Sequence, residues 1–245
     1  MVFQELTLTV YIKKNMHFKA SYELFSNIIN LTLCQDSDCL KIHESTGFKF
    51  YSFGSLYPTE KDGIYKGGSI YHLKIRSINR RILRCISDNI QETSINHPSI
   101  SVVDISQKTM KQFFISELYS ITPVIVTSSK NIFWTIEKDG DIVKLQKQLH
   151  DNLKKKYENF YNEQLENDQN FIQLLEIKNI KPQNIQLSGK GLNSDKNIRL
   201  FGNKFRIVPN EDEVSQKLAF LALGCGLGEK NSFGGGFCIA KGLRL

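Results

Sequence analysis

Leu6, Leu8, Val10 and Ile12 alternate with Thr7, Thr9 and Tyr11, the period-two signature of a strand with one buried face. The period then changes. Tyr22, Phe25, Ile29 and Leu33 recur at steps of three and four, which puts them on one stripe of a helix packed on that strand's sheet. After a polar loop through Asp36 and Asp38, residues 47–56 and 69–78 read as two aromatic or β-branched strands of a hairpin, separated by the turn region of Gly63, Gly67 and Gly68. Asn79 can cap a second helix whose apolar face is Ile82, Leu83, Ile86 and Ile90, with Arg80, Arg81 and Arg84 on the opposite side. Residues 100–105 supply one more strand. The order β-α-β-β-α-β is the ferredoxin-like unit and the topology of many RNA-binding sheets.

The second half opens with short apolar runs at 124–126 and 132–136. Ile142, Leu145, Leu149, Leu153, Tyr157 and Phe160 then hold helical spacing for five turns. Strands are predicted over 171–180, 185–187 and 201–208, and a last helix over 210–223, with Asn210 or Asp212 as its cap and Gly224 as its left-handed stop. A final strand follows at 237–240. The fold class expected is therefore α+β: two tandem ferredoxin-like (RRM-like) domains, residues 1–122 and 123–245, the second carrying a glycine-rich loop near its end.

Composition narrows the function classes. With 40% hydrophobic and 23% charged residues over 245 positions, the chain has enough apolar content for a core, and disorder and coiled coil are poor descriptions. Thirty-two Lys and Arg against 25 Asp and Glu leave a formal charge of +7, which favours a polyanionic partner, nucleic acid first. No apolar run approaches the roughly 20 residues of a membrane helix. Glu5 sits inside an alternating pattern and not in a basic stretch followed by an apolar block, so no secretory signal is expected and the compartment expected is the cytoplasm. Cys34, Cys39, Cys85, Cys225 and Cys238 are odd in number and form no matched Cys-x-x-Cys pairs; they read as reduced thiols, with no metal site and no cofactor expected.

Residues 224–236, Gly-Cys-Gly-Leu-Gly-Glu-Lys-Asn-Ser-Phe-Gly-Gly-Gly, hold six of the sixteen glycines. Glycine permits positive φ and close backbone approach, and successive bared N–H groups can form an anion-binding concavity; Lys230 adds a charge. No Walker sequence occurs here, and neither register of a Rossmann fingerprint fits, since Glu229 or Asn231 stands where the third Gly is needed. The segment also leaves a helix and enters a strand, the reverse of those loops. Composition alone leaves a ligand-free turn open. The spacing Gly-Leu-Gly, five residues, Gly-Gly-Gly after a helix resembles the glycine-rich loop of the RAMP proteins, and in detail the Cas6 endoribonucleases that cut CRISPR precursor transcripts. Leu118-Tyr119-Ser120-Ile121-Thr122-Pro123-Val124 is similar to that family's interdomain segment, and residues 149–158 to its central helix with the pattern Asn-Leu-x-x-Lys-Tyr.

The resemblance implies metal-independent cleavage of CRISPR precursor RNA once per repeat, by attack of a 2′-hydroxyl on the next phosphate. His43, followed six residues later by Lys49, matches the family's pattern residue by residue. Imidazole can act as general acid or base near neutrality, and an ammonium can stabilise the crowded phosphate. Relatives carry a Tyr on the first helix; here the matching region is Ile28, Tyr22 lies a turn and a half earlier, and Tyr51 is a substitute beside Lys49. RNA contacts are expected from Gly226, Gly228, Lys230, Asn231, Ser232, Gly234, Gly235 and Gly236, and from Arg80, Arg84, Lys204 and Arg206. Lys154, Lys155 and Lys156 read as a solvated helix face, Phe48, Phe50 and Phe53 as core, and His17, His72, His97 and His150 as structural or surface residues. Partners expected are repeat RNA and a CRISPR effector complex, with the chain a monomer or homodimer and no membrane involved. The alternatives are a noncatalytic RAMP subunit that binds and protects guide RNA, motivated by the missing helix Tyr, and an RNA-binding domain pair unrelated to CRISPR.

Overall fold

The computed structural model describes residues 1–44, 46–129, 132–166, 169–188 and 197–243, for all but the side chains of residues 42, 43 and 243. The first half holds β1 (Val2–Ile12), β2 (Met16–His17), α1 (Phe18–Leu33), α2 (Ser37–Glu44), β3 (Tyr51–Phe53), β4 (Ile64–Tyr65), β5 (Ile70–Ser77), α3 (Arg80–Ile95) and β6 (Ile100–Lys111). Its main sheet has the order β3-β5-β1-β6, antiparallel throughout. That is the ferredoxin-like order once α2 and the small β2–β4 ladder are set aside. The alternating residues Leu6, Leu8, Val10 and Ile12 are all buried, in one cluster with Phe25 and Ile29 of α1 and Ile82 and Ile86 of α3. Each such side chain stabilises the fold by about 1.5–3 kcal/mol relative to exposure. The helix starts are local: His17 accepts from the Lys19 N–H and Asn79 from the Arg81 N–H.

The second half holds β7 (Phe114–Ser120), β8 (Thr127–Ser129), β9 (Ile132–Phe133), α4 (Ile142–Tyr161), β10 (Ile172–Ile177), β11 (Gln183–Leu187), β12 (Ile198–Gly202), β13 (Phe205–Pro209), α5 (Glu213–Cys225) and β14 (Cys238–Leu243). The sheet order β10-β13-β7-β14 repeats the ferredoxin-like arrangement, with α4 and α5 as its helices. Four sequence expectations are corrected. β7 pairs with β13 and β14, so the change of sheet falls between Lys111 and Phe114 and not at residue 122. The predicted strand 201–208 is two strands broken at Asn203, whose buried amide accepts from the Ile136 N–H and donates to the Asn179 carbonyl. Gly224 does not stop α5 but lies inside it, packed on Phe3 and Ile78; the cap is Gly226 at φ +87°. The polar loop after α1 is helix α2, started by Asp36 Oδ1 accepting from the N–H groups of Asp38 and Cys39.

The five thiols expected to be reduced are not all free. Cys39 of α2 and Cys85 of α3 form a disulfide, with Cα atoms 6.8 Å apart, while Cys34 is exposed and Cys225 and Cys238 are buried and unpaired. Their separation of 46 residues hid the pair, because α2 was not foreseen and only its docking on α3 brings the two together. Thiol titration without reductant is expected to count one reactive group in the native protein and three after denaturation, rising to five with reductant. Five thiols in denaturant alone would dismiss the bridge. Among the described residues no helix is long and apolar enough to cross a membrane.

Candidate active site

Ahead of β3 the chain leaves the sheet through Phe50, a non-glycine residue in the left-handed region at φ +54°, held by Ser77 Oγ donating to the Phe50 carbonyl at 2.7 Å. The departure carries residues 47–50 onto a cavity of about 250 Å³. Phe48 and Lys49 line it together with Asn152 and Lys156 of α4 and Gly228, Lys230, Asn231 and Ser232 of the glycine-rich loop. Burial lowers the Lys49 ammonium from its usual value. His43 sits on α2, one helix before this segment, and its side chain lies outside the described residues. Phe53 is core as expected, but Phe48 lines the cavity and Phe50 packs on Phe160 of α4.

The loop itself departs from the sequence reading. Gly226, Gly228, Gly234, Gly235 and Gly236 are buried, and four of their N–H groups already donate inward: Gly226 to Ala222, Gly234 to Asn231, Gly235 to Lys230 and Gly236 to Pro123. The expected concavity of bared N–H groups is therefore not how these glycines are used. They allow the loop to wedge between the domains. A Cβ at Gly234 would stand 2.6 Å from Tyr22 Cδ1, and Ser26 Oγ of α1 donates to the Ser232 carbonyl at 3.1 Å. What the loop presents outward is Lys230, exposed at φ +58°. Asn231 is turned inward: its Nδ2 donates to the carbonyls of Leu227 and Gly235 and its Oδ1 accepts from Lys156.

Neither tyrosine is an open base. Tyr22 is buried with its hydroxyl 2.9 Å from Ser55 Oγ, and burial raises its phenol. Tyr51 is buried as well, and desolvation pushes its phenol far above the ordinary value. The four basic residues named from sequence do not gather at this cavity. Arg80 and Arg84 line a separate cleft of about 540 Å³ with Arg81, Asp36 and Asp88, where Arg84 lies 3.6 Å from Asp88 and Arg81 pairs with Asp38. Lys204 lines an interdomain cleft of about 440 Å³ beside Phe18, Tyr22 and Tyr57, and burial lowers its ammonium. Arg206 is spent within the second sheet, held by Glu117 and, at 3.4 Å, by Glu176. The hydrogen bonds from Arg206, Tyr119 and Lys241 bring the Glu117 carboxyl down to about 2. With its charge compensated twice, Arg206 is a poor phosphate ligand.

Sequence reading missed Lys156. It is not on a solvated face but 3% exposed, with its ammonium inside the loop. The available signal was its place as the Lys of Asn-Leu-x-x-Lys-Tyr, four residues after Asn152 and so on the same helix face.

Comparison with known proteins agrees with this architecture. Over 214 residues, 84% of this chain and 86% of the relative, the sequence is 23% identical to the CRISPR-associated endoribonuclease Cas6 2 of Methanocaldococcus jannaschii. Among solved structures, a CRISPR-associated Cas6 protein superposes with a TM-score of 0.68 at 22% identity, covering 98% of this chain and 99% of the other. A RAMP protein described as binding different RNA substrates gives 0.65 at 20% identity, covering 97% and 99%. The family model for the C-terminal part of the CRISPR-associated protein Cas6 matches residues 106–239, more than half the chain and the stretch that contains β7, α4, α5 and the glycine loop, so the chain belongs to the Cas6 family.

Proposed function

We propose that this protein is an endoribonuclease that cuts CRISPR precursor RNA within each repeat, without a metal ion, and so produces guide RNAs in the cytoplasm. The observation that carries the reading is one cavity lined both by Lys49, six residues after a histidine, and by the Lys230–Ser232 turn of the glycine loop. A scissile phosphate entering there meets two ammonium groups. The 2′-hydroxyl gives up its proton as its oxygen bonds to phosphorus, the bond from phosphorus to the 5′-oxygen breaks, and that oxygen takes up a proton; His43 serves one of these two transfers as base or acid and water serves the other. The products are a 2′,3′-cyclic phosphate and a 5′-hydroxyl. Lys49 stabilises the charge that builds on the phosphate oxygens, an effect worth about 10²–10³ in rate where such a group is removed elsewhere. Support comes from the endoribonuclease name of the Methanocaldococcus jannaschii relative and the RNA-binding description of the RAMP neighbour.

The test is single-turnover cleavage of repeat RNA in excess EDTA. Parental protein is expected to cut, His43→Ala to be slower by about 10²–10⁴, and Lys49→Ala to be slower by about 10²–10³, with RNA still bound. A His43→Ala protein that cuts at the parental rate overturns the assignment, and cutting that vanishes in EDTA and returns with a divalent cation overturns metal independence. The burial of both Tyr22 and Tyr51 keeps one second reading alive, a noncatalytic subunit that holds guide RNA in an effector complex. Binding of repeat RNA with no product from about pH 6 to 9 would favour it.

A further inference from the structure

Lys156 is an expensive residue to keep where it stands. An ammonium taken out of water costs several kcal/mol unless it is compensated, and this one is 3% exposed with burial lowering its proton affinity. Among the described residues the hydrogen bonds that compensate it all go to dipoles. Nζ donates to the carbonyl of Gly226 at 2.9 Å, to that of Gly228 at 2.7 Å and to Asn231 Oδ1 at 2.8 Å. The nearby Glu229 carboxylate is used elsewhere, accepting from the N–H and hydroxyl of Thr127. An apolar side chain of similar length would fill the space at lower desolvation cost, so stability alone is a weak reason for a lysine.

The ammonium has three protons and all three are spent. Lys156 therefore has none left to offer an RNA phosphate, although it lines the same cavity as Lys49 and its Nζ lies 5.9 Å from the Phe48 ring centroid. Its effect must pass through what it holds. Asn231, fixed by Lys156 on one side, donates on the other to the carbonyls of Leu227 and Gly235. Together the two side chains tie the start, the middle and the end of the loop to one point on α4. The turn that follows Gly228 is thereby fixed relative to α4, in the cavity that Lys49 also lines. Resting on the endoribonuclease reading above, we propose that Lys156 is a positioning residue for RNA cleavage. By binding two loop carbonyls and Asn231 it holds the Lys230–Ser232 turn in place in the cavity that Lys49 also lines.

The experiment compares Lys156→Met, Asn231→Ala, the double variant and Lys147→Met, the last removing an exposed charge from the same helix. Cleavage rate at saturating protein and repeat-RNA Kd are measured well below each variant's Tm, together with amide exchange of Leu227, Glu229 and Gly236. Misplacement of a reacting group by an ångström costs about 100-fold in rate. Lys156→Met is expected to lose about that factor with Kd within about threefold, and its loop amides to exchange faster while β1 stays protected. Asn231→Ala should lose rate in the same way, and the double variant should be no slower than Lys156→Met, since both act through one network. Lys147→Met should match the parent. A parental rate in Lys156→Met overturns the proposal, and so does a Kd that weakens by the same factor as the rate, which would make Lys156 a binding group. If Lys156→Met does not fold, Asn231→Ala carries the same test. If the parental chain cuts no RNA, the endoribonuclease reading fails on its own; unchanged loop exchange in Lys156→Met would then sink the positioning role separately.

Discussion

Gly236→Ala is expected to lose more than about 4 kcal/mol of stability, enough to leave much of the protein unfolded. The backbone there sits at φ +66°, and a Cβ would land on the Leu227 carbonyl oxygen with the rest of that residue's backbone close behind. Nothing in the contact is the soft end of a side chain. Residue 236 also closes the loop, accepting from the Leu227 N–H and donating to the Pro123 carbonyl, both at 2.9 Å. A methyl group must therefore displace Leu227, open that pair and disturb the seam to the interdomain segment. Left-handed strain costs about 1–3 kcal/mol by itself, and the steric overlap and broken hydrogen bonds add to it, against a total stability of about 5–15 kcal/mol for a typical domain. Gly47 is the control, because a Cβ there meets nothing within 4 Å, and Gly47→Ala should stay within about 0.5 kcal/mol. Urea unfolding of the two variants checks the pair; equal midpoints would mean the loop is not the rigid wedge described.

The parts of this fold that were legible in the sequence are those written in local periodicity. Leu6 to Ile12 and Tyr22 to Leu33 face one core, and their two periods, with the 47–56/69–78 hairpin, the Asn79-capped helix and the strand at 100–105, give the first ferredoxin-like unit its order. Glycine spacing identified the loop as special, yet not what it does: bared N–H groups suggest an anion cradle, whereas Gly234 and Gly236 serve close approach to Tyr22 and Leu227. Lys156 was misread because composition assigns lysines to water, and only the return of the loop onto α4 buries this one. The Cys39–Cys85 bridge depends on α2 meeting α3, a contact between elements that no local pattern encodes. Arg206 reads as a phosphate contact from its charge and its shared strand face with Lys204; Glu117 and Glu176, which neutralise it, come from two other strands. Pairings across strands and domains are set by tertiary packing, and that is where single-sequence reasoning stopped.

Arg76→Met should cost about 3–5 kcal/mol and uncouple the two domains. Arg76 lies on β5, opposite Glu5 of β1, on the face of the first sheet turned away from α1 and α3. Its Nε donates to Glu5 Oε2 at 2.6 Å and its Nη1 to the Cys238 carbonyl at 2.6 Å, while the guanidinium lies 5.5 Å from the Phe3 ring centroid and 4.6 Å from that of Phe237. One side chain thus joins a carboxylate of the first domain to the last strand of the second. Glu5 is 1% exposed. Burial alone would raise its carboxyl, but Arg76, with Lys74 and Lys108 at 3.4 and 3.1 Å, reverses the sign, and the net shift is downward. A depressed folded-state value means this stabilisation is complete above the unfolded glutamate range and is lost as pH falls through the folded value. Glu5 should therefore contribute no loss of stability between neutral pH and about 5. Removing Arg76 leaves that carboxylate buried with only the two lysines, and strands the Cys238 carbonyl. Thermal unfolding of Arg76→Met is expected to separate into two steps as the domains part. Glu5→Leu combined with Arg76→Met should recover part of the loss, because the orphaned charge goes with its partner. A single cooperative transition at the parental Tm in Arg76→Met would show that the domain junction is held by the glycine wedge without it.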